Sequence, residues 1–156
     1  MNIVDFQKAC DRHLKRWAVY KKNGCDPEGE CWFIIEKALP LEGRILEVGS
    51  GQGYFAIGLA GRGYHLTGVD ISENDIAVAK WNLERAGQAS MVDLKVGSGE
   101  KLPFPDKSFD VIFSVRVFHH LESPFKVVDE MIRVLAPEGK IIISDFSEAG
   151  FELVEK

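Results

Sequence analysis

Apolar and polar positions change period several times along this chain, and each change marks an element. From about Asp5 to Lys22, Phe6, Cys10, Leu14 and Trp17 recur at helical spacing with Lys and Arg between them. Asn23-Gly24 stops that helix, and Asp26-Pro27 caps and starts a second one carrying Trp32, Ile35 and Leu39, which ends before Pro40. A short apolar run, Ile45 to Val48, reads as a buried strand. Phe55, Ile57, Leu59 and Ala60 then suit a helix packed on a sheet, stopping near Gly61-Arg-Gly63. Strands are expected over 65–70, 92–96, 110–115 and 140–145, with helices over 73–86 and from Ser123-Pro124 onward. In the last helix Val127, Val128, Met131, Ile132 and Leu135 form one apolar face, and Pro137-Glu-Gly139 turns into the final strand. Residues 97–108 hold two glycines, two prolines and no helical period, so a plain loop is expected there.

The chemistry concentrates between the first strand and its helix. Gly49, Gly51 and Gly53 alternate there, letting the backbone turn tightly and approach a ligand with no Cβ in the way. The turn is expected to aim unpaired N–H groups and a positive helix end at that ligand. A dinucleotide site would want its third glycine one residue later than Gly53. Glu47, inside the strand end, would repel a pyrophosphate and attract an ammonium group. The favoured ligand is therefore an amine whose carboxylate the helix start can hold, as in the methionine half of S-adenosylmethionine.

Glu47-Val-Gly-Ser-Gly-Gln-Gly53 resembles the first motif of the class I S-adenosylmethionine-dependent methyltransferases. Gly68-Val-Asp-Ile-Ser72, Leu102 to Asp110, Phe118-His-His-Leu121 and Arg133 to Gly139 look like that family's later blocks, in its order and approximate spacing. The resemblance runs from about Arg44 to Asp145. It implies an α/β fold: a Rossmann-like, doubly wound, mostly parallel sheet ordered 3-2-1-4-5 with helices on both faces. In that order the 97–108 loop crosses three strand spacings, roughly 15 Å, which twelve residues span easily. The resemblance further implies an N-terminal helical cap (1–40) over a cofactor domain (41–156), with Trp17 and Tyr20 as cap residues near the substrate. A full family member continues past Asp145 with a helix and two more strands. Gly150 to Val154 looks like the start of the next strand, so a C-terminally shortened sheet is expected, and with it a possible homodimer through the exposed edge.

Asp70 stands 17 residues past Gly53, where an acid can hydrogen-bond both ribose hydroxyls, and Ser72 is the better helix cap, which leaves Asp70 free for that task. Ile71 can lie flat on the adenine ring. Ser98 stands where the family usually carries Asp toward the adenine amino group, and Gly99 can offer its N–H to a ring nitrogen. Ser114 ends the fourth strand, and its carbonyl is the expected partner of the methionine ammonium. The cofactor set is thus Glu47, Gly49, Ser50, Gly51, Gly53, Asp70, Ile71, Ser98, Gly99 and Ser114, with S-adenosylhomocysteine as product.

The catalytic group is unknown; His119 is a candidate base or substrate contact, and Arg116 a candidate partner for a substrate anion. Alternatively the histidines only pack over the pocket and the arginine is structural. A base matters only where the acceptor must lose a proton. Cys10, His13, Cys25 and Cys31 contain no Cys-x-x-Cys pair, and no metal is expected.

Charge and composition narrow the class further. The 156 residues carry a formal charge of −5 and suit one compact domain. Residues 1–24 hold six basic and two acidic side chains, while the remainder holds 13 and 22. General nucleic-acid binding is not expected of such a balance. Three cysteines, no apolar run near 18 residues and no signal peptide ahead of the first helix point to a cytoplasmic protein with no membrane span. The reading is a methyltransferase acting on a small-molecule acceptor. A binding-only subunit or sensor is the alternative, and an NAD-dependent oxidoreductase is disfavoured by Glu47 and the early glycine.

Overall fold

The computed structural model describes residues 26–146 and, ahead of them, Lys15, Val19 and Lys22. Phe6, Cys10, His13, Leu14, Trp17, Tyr20 and Cys25, and everything after Phe146, lie outside the described residues. Among the described residues the chain runs α1 (Pro27–Lys37), β1 (Ile45–Val48), α2 (Tyr54–Ala60), β2 (Leu66–Asp70), α3 (Glu73–Arg85), β3 (Val92–Val96), β4 (Phe109–Val115), α4 (Pro124–Val134) and β5 (Leu135–Ser144). Single 3₁₀ turns cover Ala89–Met91 and Phe118–His120. The five strands form one parallel sheet in the order β3-β2-β1-β4-β5, the order the resemblance implies. No helix among the described residues is long and apolar enough to cross a membrane.

The central strands are apolar on both faces because both faces are covered. Side chains alternate along a strand, so Ile45, Leu66, Val111 and Phe113 share one face with Ile35 of α1, Phe55 and Leu59 of α2, and Leu83 of α3. Leu46, Val48, Val69 and Ile112 face the other way, onto Val127, Met131 and Val134 of α4 and onto Leu102 and Phe109. Leu102 thus does from a loop what a crossover helix would do.

That loop, 97–108, has no helix in it, and α4 holds it from beneath. Arg133 donates to the carbonyls of Leu102 and Phe104 at 3.1 and 3.0 Å and to the Asp106 carboxylate at 2.7 Å. Glu130, itself paired with Arg133 at 2.7 Å, accepts the Leu102 N–H at 2.8 Å. The Arg133 bond holds the Glu130 carboxyl below its usual range, with burial opposing.

Several boundaries differ from expectation: β2 starts at Leu66 rather than His65, and β5 runs from Leu135 to Ser144 rather than from Lys140 to Asp145. β4 starts at Phe109 rather than Asp110. Leu135 does not extend the α4 face: its backbone is extended (φ −75°, ψ 134°) and pairs with Phe109. The register then slips, so that Val111 pairs with Lys140 and the Pro137-Glu-Gly139 segment bows out of the ladder. A proline with no N–H and a glycine are tolerated at such an irregularity.

Candidate functional site

The carboxyl ends of β1, β2 and β4 meet at the glycine turn. At Gly49 the backbone is left-handed (φ 78°), and a Cβ there would sit 2.4 Å from a methyl of Val117, so only glycine fits. Gly51 is also left-handed (φ 48°), but nothing lies within 4 Å of where its Cβ would be: the backbone borders open space. Gly53 starts α2 against Ala79 of α3, 3.1 Å from a would-be Cβ.

The expectation of unpaired N–H groups needs correcting for the turn itself. Gly49 and Ser50 both donate to the Val69 carbonyl, at 2.8 and 3.0 Å, and Gly53 donates to Ser50. Gly51 donates to Asp70 Oδ2 at 2.8 Å, while Asp70 Oδ1 accepts the Ser72 N–H at 2.9 Å. Asp70 is therefore not free, as the sequence reading had it, although Ser72 does cap α3 by accepting from the Asp75 N–H at 3.1 Å. One carboxylate ties the glycine turn to the start of the next loop. Each oxygen keeps a second lone pair, so two hydroxyl donors can still be held. The amides of Gly49, Ser50, Gly51 and Gly53 are thus engaged in shaping the turn.

Two of those side chains have polar atoms that are buried and unpartnered among the described residues: Glu47 Oε2 and Ser50 Oγ. Burial pushes the Glu47 carboxyl well above the usual carboxylate range, and the Asp70 charge adds to the shift. A buried acid without a donor is costly to keep, so such groups mark places where something else binds. Ile71, next to Asp70, is 74% exposed on the loop after β2. A donor for Glu47, a pair of hydroxyls for Asp70 and a flat apolar group for Ile71 would together satisfy this edge.

The remaining cofactor candidates lie near the same strand ends. The Gly97 N–H bonds to the Asp70 carbonyl at 2.9 Å, bringing Ser98 and Gly99 beside the end of β2. Ser98 Oγ accepts the Glu100 N–H at 3.2 Å, and a Cβ on Gly99 would meet Val48 and Val127 at 3.3 and 3.4 Å. Ser114 is fully buried and its hydroxyl donates to the Val48 carbonyl at 3.1 Å, clasping the ends of β1 and β4 together.

A model of the methyltransferase domain matches residues 46–143, and the elements just described occupy that span. The chain belongs to the class I S-adenosylmethionine-dependent methyltransferases. It is 34% identical over 121 residues to the 27-O-demethylrifamycin SV methyltransferase of Amycolatopsis mediterranei, covering 73% of this chain and 44% of that protein. It is 31% identical over 136 residues to a phosphatidylethanolamine N-methyltransferase of Cereibacter sphaeroides, covering 86% and 66%. Among solved structures, the Haemonchus contortus phosphoethanolamine N-methyltransferase 2, in complex with phosphomonomethylethanolamine and S-adenosylhomocysteine, superposes with a TM-score of 0.71 at 26% identity, covering 88% of this chain and 36% of that one. The chain spans about half the length of most curated relatives it matches.

Beyond the family motif, the ends of β4 and β5 carry a second cluster. Arg116 directly follows β4 with a left-handed backbone (φ 58°), and its N–H extends the ladder to the Ser144 carbonyl at 2.8 Å. Its guanidinium forms an ion pair with Glu30 on α1 and lies 5.3 Å from the centre of the Phe146 ring. The candidate anion partner is thus already engaged with a carboxylate of its own chain. His119 Nδ1 lies 2.6 Å from Asp145 Oδ1, and the His119 N–H donates to Asp145 Oδ2 at 3.1 Å. Neither acidic partner was singled out from the sequence, because Glu30 and Asp145 lie 86 and 26 residues from the groups they bind. Of the four residues weighed as metal ligands only Cys31 is described; burial first of all pushes its thiol up to about 11, with the charge of Arg116 opposing.

Proposed function

We propose that this chain binds S-adenosylmethionine in the crevice above β1, β2 and β4 and transfers its methyl group to a small-molecule acceptor, releasing S-adenosylhomocysteine. The observation that carries the reading is the buried, unpartnered Glu47 carboxyl beside the open face of Gly51, flanked by Asp70 and Ile71. In this assignment Glu47 and the Ser114 carbonyl hold the ammonium, and Gly49, Ser50, Gly51 and Gly53 form the turn under the methionine. Asp70 takes the ribose hydroxyls, Ile71 faces the adenine, and Ser98 and Gly99 serve its polar edge. When bound, the sulfonium supplies an electrophilic methyl; the chain's task is to fix the acceptor in line, which can contribute roughly 7–11 kcal/mol. The N-terminal segment to residue 40 is assigned as a cap, since α1 is tied to the β4 end through Glu30 and Arg116. The relatives named for a demethylrifamycin and for phosphatidylethanolamine favour a small-molecule or lipid acceptor.

Calorimetric titration with S-adenosylmethionine and S-adenosylhomocysteine tests the reading. Asp70→Ala is expected to weaken both by more than about tenfold, or ~1.4 kcal/mol; unchanged affinity would remove the ribose assignment. The second reading is a binding subunit or sensor, favoured by the pairing of Arg116 inside its own chain. Mass spectrometry of a metabolite extract incubated with the chain and S-adenosylmethionine separates the two, since a sensor yields no methylated product. A homodimer through the β5 edge is part of the proposal, supported by the exposed Ile143 on β5 and Ile132 on α4. A sedimentation mass of one chain at micromolar concentration would rule it out.

A further inference from the structure

We propose that Arg116 is the anion-binding residue of the acceptor site, that Glu30 is its internal placeholder, and that the acceptor carries a phosphate ester which displaces Glu30 from the guanidinium. The proposal rests on the methyl-transfer reading above and names the chemical class of its acceptor.

The pair already has the geometry of oxyanion recognition. Arg116 Nε donates to Glu30 Oε1 at 3.3 Å while Nη2 donates to Oε2, so the guanidinium fork lies along both carboxylate oxygens. An arginine takes a phosphate in the same two-pronged way. The two side chains keep 27% and 39% of their surface in solvent, so an incoming ligand can reach them. The Phe146 ring stands 5.3 Å from the guanidinium and favours its charge.

The ion pair alone does not account for an arginine at this position. Its φ of 58° is left-handed, which disfavours a residue with a Cβ by roughly 5–30-fold in the folding equilibrium. A partly exposed ion pair offsets at most about fivefold of that. The bond from the Arg116 N–H to the Ser144 carbonyl is one that glycine would make equally well. Nor does α1 need the pair to stay in place. Ile34 and Ile35 are buried, Asp26 caps the helix start through the Gly29 N–H at 3.1 Å, and Lys140 Nζ donates to the carbonyls of Ala38 and Pro40 at its far end. A strained arginine whose pair neither offsets the strain nor anchors the helix has a further task.

Its position suits an acceptor. Arg116 stands between Ser114, whose carbonyl is assigned to the ammonium, and Val117, which packs against Gly49 of the cofactor turn. The charges of Arg116 and Glu47 both act on the Cys31 thiol, so the guanidinium and the amine end share one neighbourhood. Ligands of open parallel sheets bind at these strand ends. Glu30 leaves easily, because it lies in the first turn of α1, where the helix end favours a carboxylate with or without the arginine.

The placeholder's own chemistry selects the ligand. A free carboxylate would offer Arg116 only what Glu30 gives it, against an effective Glu30 concentration on the order of millimolar. A phosphate monoester brings about 1.5–2 negative charges and a third oxygen, and gains where a carboxylate does not.

Calorimetric titration of the whole chain with inorganic phosphate, with and without S-adenosylhomocysteine, tests this. Expected is saturable binding that Glu30→Gln strengthens about two- to fivefold, by removing the internal competitor. Arg116→Gln should weaken it by at least about tenfold, and Arg116→Lys, which keeps the charge and loses the fork, should fall between. Absence of phosphate binding in both the unaltered chain and Glu30→Gln overturns the proposal, as does binding that Arg116→Gln leaves unchanged. Should Arg116→Gln not fold, Glu30→Gln decides: an affinity equal to that of the unaltered chain sinks the displacement. Titration with phosphoethanolamine, and flotation with phosphatidylcholine vesicles containing phosphatidic acid, separate a soluble ester from a lipid headgroup. Binding lost in Arg116→Gln assigns the phosphate to that source, and binding of both that persists in the variant overturns the proposal. A chain that binds phosphate through Arg116 but not S-adenosylhomocysteine would instead sink the methyl-transfer reading and leave the anion site standing.

Discussion

The two ends of the crevice are built by different means. At the β1–β2 end, a few neighbouring residues make the site: a glycine turn whose Gly49, Ser50 and Gly51 amides are held by Val69 and Asp70, and a buried acid with one oxygen unpartnered among the described residues. At the β4–β5 end, the site is made by pairs that the fold brings together, Arg116 with Glu30 and His119 with Asp145. The first is a local motif that cannot be altered without bending the backbone. The second is a set of side chains standing on a backbone that would survive their exchange. A family that keeps one ligand and varies the other is expected to divide its structure in this way, with rigid backbone for the constant partner and replaceable side chains for the variable one.

Substitutions at each end should separate the two. The largest effect is expected at Gly49, where a Cβ meets Val117 and the backbone is left-handed. Gly49→Ala should lose about 2–5 kcal/mol of stability from overpacking and backbone strain together, read from urea midpoints. Adding Val117→Ala should recover the packing part only; full recovery would mean that the backbone conformation is not the constraint.

Next comes Glu47→Gln. On the proposed assignment of Glu47 to the ammonium, losing its charge should weaken S-adenosylmethionine by about 1.5–3 kcal/mol in calorimetry. The same change should stabilise the ligand-free chain near neutral pH. Burial, with the Asp70 charge, raises the folded carboxyl's pKa, so the folded state binds its proton more tightly than the unfolded chain does. That contribution is therefore fully present below the unfolded value and is lost as pH rises through the raised folded one. The melting temperature of the unaltered ligand-free chain should fall across that window, and Glu47→Gln should flatten the fall. Binding of the ammonium should release a proton, visible as a dependence of the binding heat on the buffer's ionisation enthalpy.

Gly51→Ala is expected to be milder than its neighbour, about 1–2 kcal/mol, because only the backbone conformation opposes it and no atom stands in the way. A loss equal to that of Gly49→Ala would show that the open face is not open in solution. Glu30→Gln should be mildest of all, under about 1 kcal/mol in stability, since its pair with Arg116 is partly exposed, with S-adenosylhomocysteine affinity unchanged. A large loss of affinity there would erase the distinction between the two ends.

The same division explains what could be read from the chain before its fold was known. Strand one, the glycine turn and the second acid are short-range patterns, and the order of the sheet follows from the resemblance of five blocks in register. Asp70 was located, but its grip on the Gly51 N–H was not, because that bond depends on how the turn folds back across β2. The Leu135 reading failed because an apolar residue at a helix end suits either the helix face or a strand edge, and pairing with Phe109 decided it. Arg116 and His119 were visible as polar residues after a strand; their partners were not, since nothing in the local pattern points from Arg116 back to α1 or from His119 forward to the end of β5.

Arg133 gives the β3–β4 loop a further meaning. By gripping three points of that loop from α4, it makes the wall beside Ser98 and Gly99 move with the helix. The same helix begins just after the turn that carries His119. A tilt of α4 is therefore expected to shift both loops at once, like a lever with two arms.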